Sequence, residues 1–314
     1  MHILVTGGCG FVGSNLVTAL LDSMYKVTVV DTLWFGNYLE KHHNLRIICE
    51  DIRNIDQIPM DGIDSIIHLA NISNDPCGEL NAKLSWEVNA LATMQLVEKA
   101  IKNRVKQFIY ASSGSVYGVK DELHVTEDLS LLPISDYNKT KMISERVLLS
   151  YKDAITIQCI RPATICGFSP RMRLDLSVNM LTMQALMNKK ITVFGGQQTR
   201  PNLHIKDMIR IYLHFLEHGD KFTGIFNAGF ENFSIMEIAQ RVTQFVPAEI
   251  VLTESSDPRS YRLNSDKLKN TGFIPEFGID NGIEDVIHAV QSGVLKDGNQ
   301  HYNLRVMKTI DGLS

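Results

Sequence analysis

Thr6-Gly7-Gly8-Cys9-Gly10-Phe11-Val12-Gly13 is the stretch that decides the fold. It follows a β-branched run, HILVT at 2–6, and opens a segment in which Leu16, Leu20 and Leu21 share one helix face. A strand that turns this tightly into a helix needs unusual φ values, which glycine supplies. Missing Cβ atoms also let a pyrophosphate approach the free N–H groups at the helix N-terminus. The next run, KVTVVD at 26–31, ends in Asp31, placed to accept hydrogen bonds from adenosine ribose hydroxyls and to repel a 2′-phosphate. The expected cofactor is therefore NAD rather than NADP, with Gly7, Gly10 and Gly13 cradling its phosphates. Asp51, after the third run, is a candidate for the adenine amino group.

Outward from that turn the chain alternates. Runs at 45–49 (LRIIC), 65–70 (SIIHLA), 106–112 (KQFIYAS) and 155–160 (ITIQCI) are separated by loops or stretches of helical period, such as the face of Leu91, Met94, Val97 and Ile101. Strands alternating with helices predict βαβ units and a parallel sheet covered on both faces. Residues 1–162 read as one doubly wound domain. After Arg161-Pro162 come fewer strands, at ITVF, GIFNAG and AEIVLTE, among helices such as VNMLTMQALMNKK and KDMIRIYLHFLEH. The expectation is an α/β protein in which 201–232 returns to the first domain while 163–200 and 233–314 form a smaller α+β substrate lobe. Residues 298–314 show no clear period.

Composition narrows the function. The 314 residues are 44% hydrophobic, with 31 Lys+Arg against 35 Asp+Glu. This balance offers no general attraction to nucleic acid or anionic lipid, so neither is expected as a partner. Cys9, Cys49, Cys77, Cys159 and Cys166 are odd in number and form no C-x-x-C pair, which reads as reduced thiols. The apolar N-terminus has no basic n-region, and no window of about 20 apolar residues occurs, so a soluble cytoplasmic protein is expected.

Tyr137 and Lys141 lie four apart in SDYNKTKMISERVLLS, a helical pattern that puts both on one face. Ser113 closes the fifth run in YASSGSVYG. A phenol with an ordinary pKa of about 10 is a poor base at neutral pH. A neighbouring ammonium and an oxidised nicotinamide are expected to lower it. In this reading Ser113 bonds a substrate hydroxyl, Tyr137 takes its proton, and Lys141 also holds the nicotinamide ribose.

TGGCGFVG, Asp31, HLAN at 68–71, Asn89 in WEVNALATM, ASSGSVYG, SDYNKTK, RPATICG and RPNLHIKD fall in one order along nearly the whole chain. In this the sequence resembles the extended short-chain dehydrogenase/reductases that act on nucleotide sugars. The resemblance implies a Rossmann domain, a C-terminal sugar-nucleotide lobe and a homodimer built on a two-helix face. It implies catalysis by Ser113, Tyr137 and Lys141, and a cofactor site that includes Phe11, Val12, Ile52, Leu69, Ala70 and Asn89. Asn179, Arg200 and Arg259 match positions that contact the substrate pyrophosphate. Members that remove water across C5 and C6 carry an Asp-Glu pair where this chain has Gly114 and Ser115, so 4,6-dehydration is not expected. HLAN in place of HLAA, and Cys166 in place of an aromatic, alter the sugar pocket. RMRLDLSVN at 171–179 resembles a surface-polysaccharide branch that includes enzymes oxidising C4 of GDP-heptoses.

Arg171 and Arg173, in the same loop, read as surface salt bridges. His204, His214 and His218 lack a metal-binding spacing, and Met172, Met180, Met183 and Met187 read as packing, so no metal is expected. The resulting expectation is an NAD-dependent nucleotide-sugar 4-epimerase acting through a 4-keto intermediate. A 4-dehydrogenase or 4-ketoreductase sharing the same groups stands as the alternative, and a non-catalytic NAD sensor is more remote.

Overall fold

The β-branched runs become strands, and those in the middle of the large sheet are buried on both faces. The protein is described here by a computed structural model that covers residues 1–254 and 260–310. Its strands, among the described residues, are β1 (His2–Thr6), β2 (Lys26–Asp31), β3 (Leu45–Cys49), β4 (Ser65–His68), β5 (Gln107–Ala111), β6 (Thr156–Pro162), β7 (Thr164–Cys166), β8 (Lys190–Phe194), β9 (Thr199–His204), β10 (Gly224–Ala228), β11 (Glu231–Ser234) and β12 (Glu249–Thr253). Seven make one parallel sheet in the order β3-β2-β1-β4-β5-β6-β10. Strand order reverses at β1, between β2 and β4, and a crevice opens at the carboxyl ends of strands at such a switch point.

Helices Phe11–Asp22 and Ile205–His218 cover one face, with Leu16, Leu20, Ile211 and Phe215 inaccessible to solvent. Helices Ala92–Lys102 and Asp136–Ser150 cover the other through Leu96, Val97 and Leu148. Each such side chain contributes about 1.5–3 kcal/mol by leaving water. Helix Ala92–Lys102 differs in phase from the sequence expectation. It buries Ala92, Thr93, Leu96, Val97 and Ala100, while Leu91 stays 47% exposed. The π-turn Glu87–Leu91 just before it adds a residue to the turn and rotates the face.

The second lobe has its own core, in which Val178, Leu181, Ile191, Ile238, Val242 and Ile283 meet. Around it lie helices Ser177–Asn188, Ile235–Phe245 and Ile279–Gln291, the sheet β11-β9-β7 and the parallel pair β12-β8. From β9 the chain passes through helix Ile205–His218 to β10, which pairs with β6 at the edge of the large sheet. The segment without sequence period contains a short helix, Asn303–Met307. Met307 is buried in the cluster of Leu4 and Ile66, so this segment packs on the first domain, whereas the sequence reading grouped it with the substrate lobe. A five-residue helix, docked by Met307 with Leu304 and Ile310 beside it, is too short to show a periodicity in the sequence.

Candidate active site

The glycine-rich turn sits at the switch point. Gly7 has φ +71°, and a Cβ there would lie 2.6 Å from the Ala70 nitrogen at the end of β4. A Cβ on Gly13 would lie 2.4 Å from the Gly7 carbonyl oxygen. Both contacts are shorter than real side chains make, so the backbone here has to be bare. Helix Phe11–Asp22 begins at Gly10 with no side-chain cap, which leaves its first N–H groups for a ligand. Asp31 accepts from the backbone N–H groups of Cys9 (2.9 Å) and Leu33 (2.8 Å), and burial raises its pKa despite these donors. Gly7, Gly10, Phe11, Val12, Gly13, Asp31, Asp51, Ile52, Leu69 and Ala70 line one cleft of about 710 Å³. This donor set and this bare backbone fit a dinucleotide. Asp51 is already paired with Arg53 at 2.8 Å, which also reaches Glu87.

Ser113, Tyr137 and Lys141 line the same cleft. Ser113 caps the short turn Gly114–Tyr117 after β5, its oxygen accepting from the Ser115 N–H at 3.2 Å. Ser135 caps helix Asp136–Ser150 and so orients the first-turn Tyr137. A chain of polar groups backs the pair: Ser113 and Ser115 hydroxyls lie 2.7 Å apart, Ser115 donates to Asn138, and Asn138 donates to Asp75 at 3.0 Å. Lys141 donates to the Ala111 carbonyl at 2.6 Å and lies 4.7 Å from the centre of the Tyr110 ring.

The electrostatics of this group differ from the sequence expectation. Burial pushes the Tyr137 phenol up to about 12, although its hydrogen bond with Ser113 pulls the other way. Burial also lowers Lys141 to about 7, with Glu145 opposing. The protein alone therefore favours the neutral form of both the phenol and the lysine. Two groups packed out of water each avoid their charged form, which proximity in the sequence does not reveal.

Of the other expected residues, Arg200 lines the cleft. Asn89 does not; its amide accepts from the Ile72 N–H (2.7 Å) and donates to the Ile72 carbonyl (3.1 Å) and to Thr140, bracing the loop after β4. Asn179 is likewise engaged with the backbone of Gly167 and Arg173 and braces the loop after β7. Both amides make hydrogen bonds inside the protein that hold these loops. Arg259 lies outside the described residues. His204 pairs with Asp285, His214 with Thr271 and His218 with the His214 carbonyl. Met187 is 56% exposed, while Met172 and Met183 are buried.

Arg171 corrects the sequence reading. It is 3% exposed, lines the cleft, and has no carboxylate within ion-pair distance among the described residues. Arg173 does form an ion pair, with Asp175 at 2.9 Å, inside the cleft rather than on the surface. Asp75, Trp34 and Phe35 also line the cleft and had not been singled out from the sequence. Only the Pro-flanked position of Arg171, just past Pro170, hinted that its loop is held rigidly.

A parallel sheet with a glycine turn at its switch point and a Ser, Tyr and Lys group across the same cleft defines an NAD-dependent enzyme of the extended short-chain dehydrogenase/reductase class. The chain belongs to the NAD dependent epimerase/dehydratase family, whose model matches residues 3–229. An uncharacterised UDP-glucose epimerase of Bacillus subtilis, YtcB, is 32% identical over 231 residues, covering 67% of this chain and 71% of that protein. The UDP-glucuronic acid 4-epimerase of Bacillus cereus, solved with UDP-glucuronic acid and NAD, is 30% identical with TM-score 0.81, covering 93% of this chain and 99% of that one. The UDP-glucose 4-epimerase of Thermotoga maritima, solved with UDP-glucose, is 25% identical with TM-score 0.84, covering 94% and 100%. No described helix is long and apolar enough to cross a membrane.

Proposed function

We propose that the protein is a 4-epimerase of a nucleotide-diphosphate sugar, working through a 4-keto intermediate, with a UDP-sugar as the first substrate class to test. The observation that carries this is the meeting of Ser113, Tyr137 and Lys141 on one wall of the glycine-turn cleft, with no acid at 114 or 115. Position 114 is also tight: a Cβ there would lie 3.2 Å from the Pro162 carbonyl oxygen and 3.0 Å from the Leu263 side chain. NAD, when bound, supplies a hydride acceptor and a positive charge beside the phenol. Ser113 bonds the C4 hydroxyl, and Tyr137 accepts its proton and later returns it to the 4-keto oxygen. Lys141 stabilises the phenolate while it lasts. The Ser115, Asn138 and Asp75 chain keeps Ser113 aimed. Arg200, and Arg259 by family resemblance, hold the substrate diphosphate. The UDP-sugars bound by the Bacillus cereus and Thermotoga maritima proteins support the choice of nucleotide. Exposed Trp86, Leu91 and Ile143, on or beside the two helices that cover this face, support a homodimer, which light scattering tests.

The test is incubation with UDP-, GDP-, CDP- and dTDP-sugars, following product configuration by NMR and reduced nicotinamide by absorbance. Inversion at C4 without added NAD is expected; a lasting ketone with accumulating NADH overturns the epimerase in favour of a 4-dehydrogenase. Tyr137→Phe is expected to lower turnover by about 10²–10⁴-fold, the usual range for a general acid–base group, while NAD binding persists. Full activity in that variant removes the mechanism.

A further inference from the structure

Arg171 is a buried cation with no direct ion pair among the described residues; Asp175 and Asp31 attract it only from a distance. Its Nε has no hydrogen-bond partner, one terminal nitrogen donates to the neutral Asn303 side chain at 2.5 Å, and the other reaches only the Met172 carbonyl at 3.5 Å. The guanidinium lies 4.0 Å from the centre of the Phe35 ring, in the loop that follows Asp31. A buried charge in this state is unfavourable unless a ligand completes it.

Its loop is fastened to the glycine-rich turn. Ser169, two residues earlier, donates to the Phe11 carbonyl at 2.7 Å and shares a 2.9 Å bond with Ser14, while the Phe168 carbonyl accepts from Asn15 at 3.3 Å. Phe11, Ser14 and Asn15 all belong to the first turns of helix Phe11–Asp22, whose N-terminus is uncapped. Arg171 is therefore hung from the same helix end that offers free N–H groups. On its far side Asn303 donates to Ser73 at 2.8 Å, so the C-terminal segment ties the arginine to the loop after β4.

We propose that Arg171 is a wall of the cofactor diphosphate site, closing on the phosphates opposite the glycine-rich turn and, backed by Asn303, keeping the dinucleotide bound between turnovers. The inference rests on NAD as the family cofactor and not on the sugar or on the 4-epimerase reading. Its contact with Phe35 and the bond of Ser169, two residues earlier, to the Phe11 carbonyl place it on the dinucleotide side of the cleft, which favours the cofactor diphosphate over that of the substrate.

Arg171→Met should weaken NAD binding at least about tenfold, as the loss of a charge-assisted hydrogen bond implies, read by calorimetry or Trp34 fluorescence. ADP should lose as much and adenosine, which lacks phosphate, nothing. UDP binding to the NAD-loaded variant should be unchanged, and the melting temperature without nucleotide should not fall. NAD affinity within twofold of wild type, equal losses for ADP and adenosine, or a loss confined to UDP would overturn the proposal. If the Met variant does not fold, Arg171→Lys decides: it keeps the charge but loses the planar fork, so faster NAD dissociation with unchanged adenosine affinity is expected, and an unchanged dissociation rate refutes the idea. Failure of epimerase activity in the wild type would leave these binding results standing.

Discussion

Two arginines, Arg161 and Arg171, are buried to nearly the same extent, at 1% and 3% exposure, yet their surroundings are opposite. Behind the catalytic helix, Arg161 makes two bonds to Glu145 (2.8 and 2.7 Å) and one to the Tyr117 hydroxyl (2.6 Å), while Glu145 also accepts from Ser112. Hydrogen bonding and charge from Glu145 outweigh desolvation, and its pKa rises above the ordinary arginine value. At the cleft wall, burial and neighbouring Arg173 lower Arg171 to about 10. The first region is complete in itself and fixes β6 against the helix that carries Tyr137 and Lys141. The second has only neutral hydrogen-bond partners among the described residues. Burial alone therefore does not separate a structural charge from a functional one; the partner inventory does.

The largest expected effect that would break this comparison is in the paired region. Glu145→Ala leaves Arg161 charged, buried and alone, and should cost about 3–5 kcal/mol in chemical denaturation. A loss below about 1 kcal/mol would show that water or another group takes over the role of Glu145. Lys141 resembles Arg171 in having no direct ion pair, so Lys141→Met should abolish turnover yet raise stability. Because burial lowers this group from 10.5 to about 7, the unfolded chain binds a proton between these values that the folded chain does not. Wild-type stability should thus rise with pH across that window, and the advantage of the Met variant should be largest at pH 7 and shrink toward pH 10. Melting curves at several pH values check this, and an advantage that grows with pH contradicts it. Replacing both members of the pair, as in Glu145→Met with Arg161→Met, should recover most of the loss seen for Glu145→Ala. The smallest effect is Arg171→Met on the nucleotide-free protein, where stability should change by less than about 1 kcal/mol or improve.

The doubly wound sheet was legible because its signals are local: β-branched runs, glycines at a strand end, and an Asp closing β2. The group of Ser113, Tyr137 and Lys141 could be named because two of its members are one helical turn apart and the third ends a strand. That Asn89 and Asn179 already bond to nearby backbone could not be read from the sequence, because sequence position says nothing about which hydrogen bonds a side chain makes in the fold. Leu91 was misplaced because a π-turn shifts the helical phase without any marker in composition.

What the sequence by itself determined is the element order, the nucleotide turn and the chemical types of the catalytic groups, since each depends on spacing within a few residues. Tertiary structure alone decided the protonation tendencies of Tyr137 and Lys141, the docking of the C-terminal segment on the first domain, and the pairing of Arg161 against the isolation of Arg171. These depend on desolvation and on contacts between residues far apart in the chain, such as Arg171 and Asn303, whose meeting only the folded packing brings about.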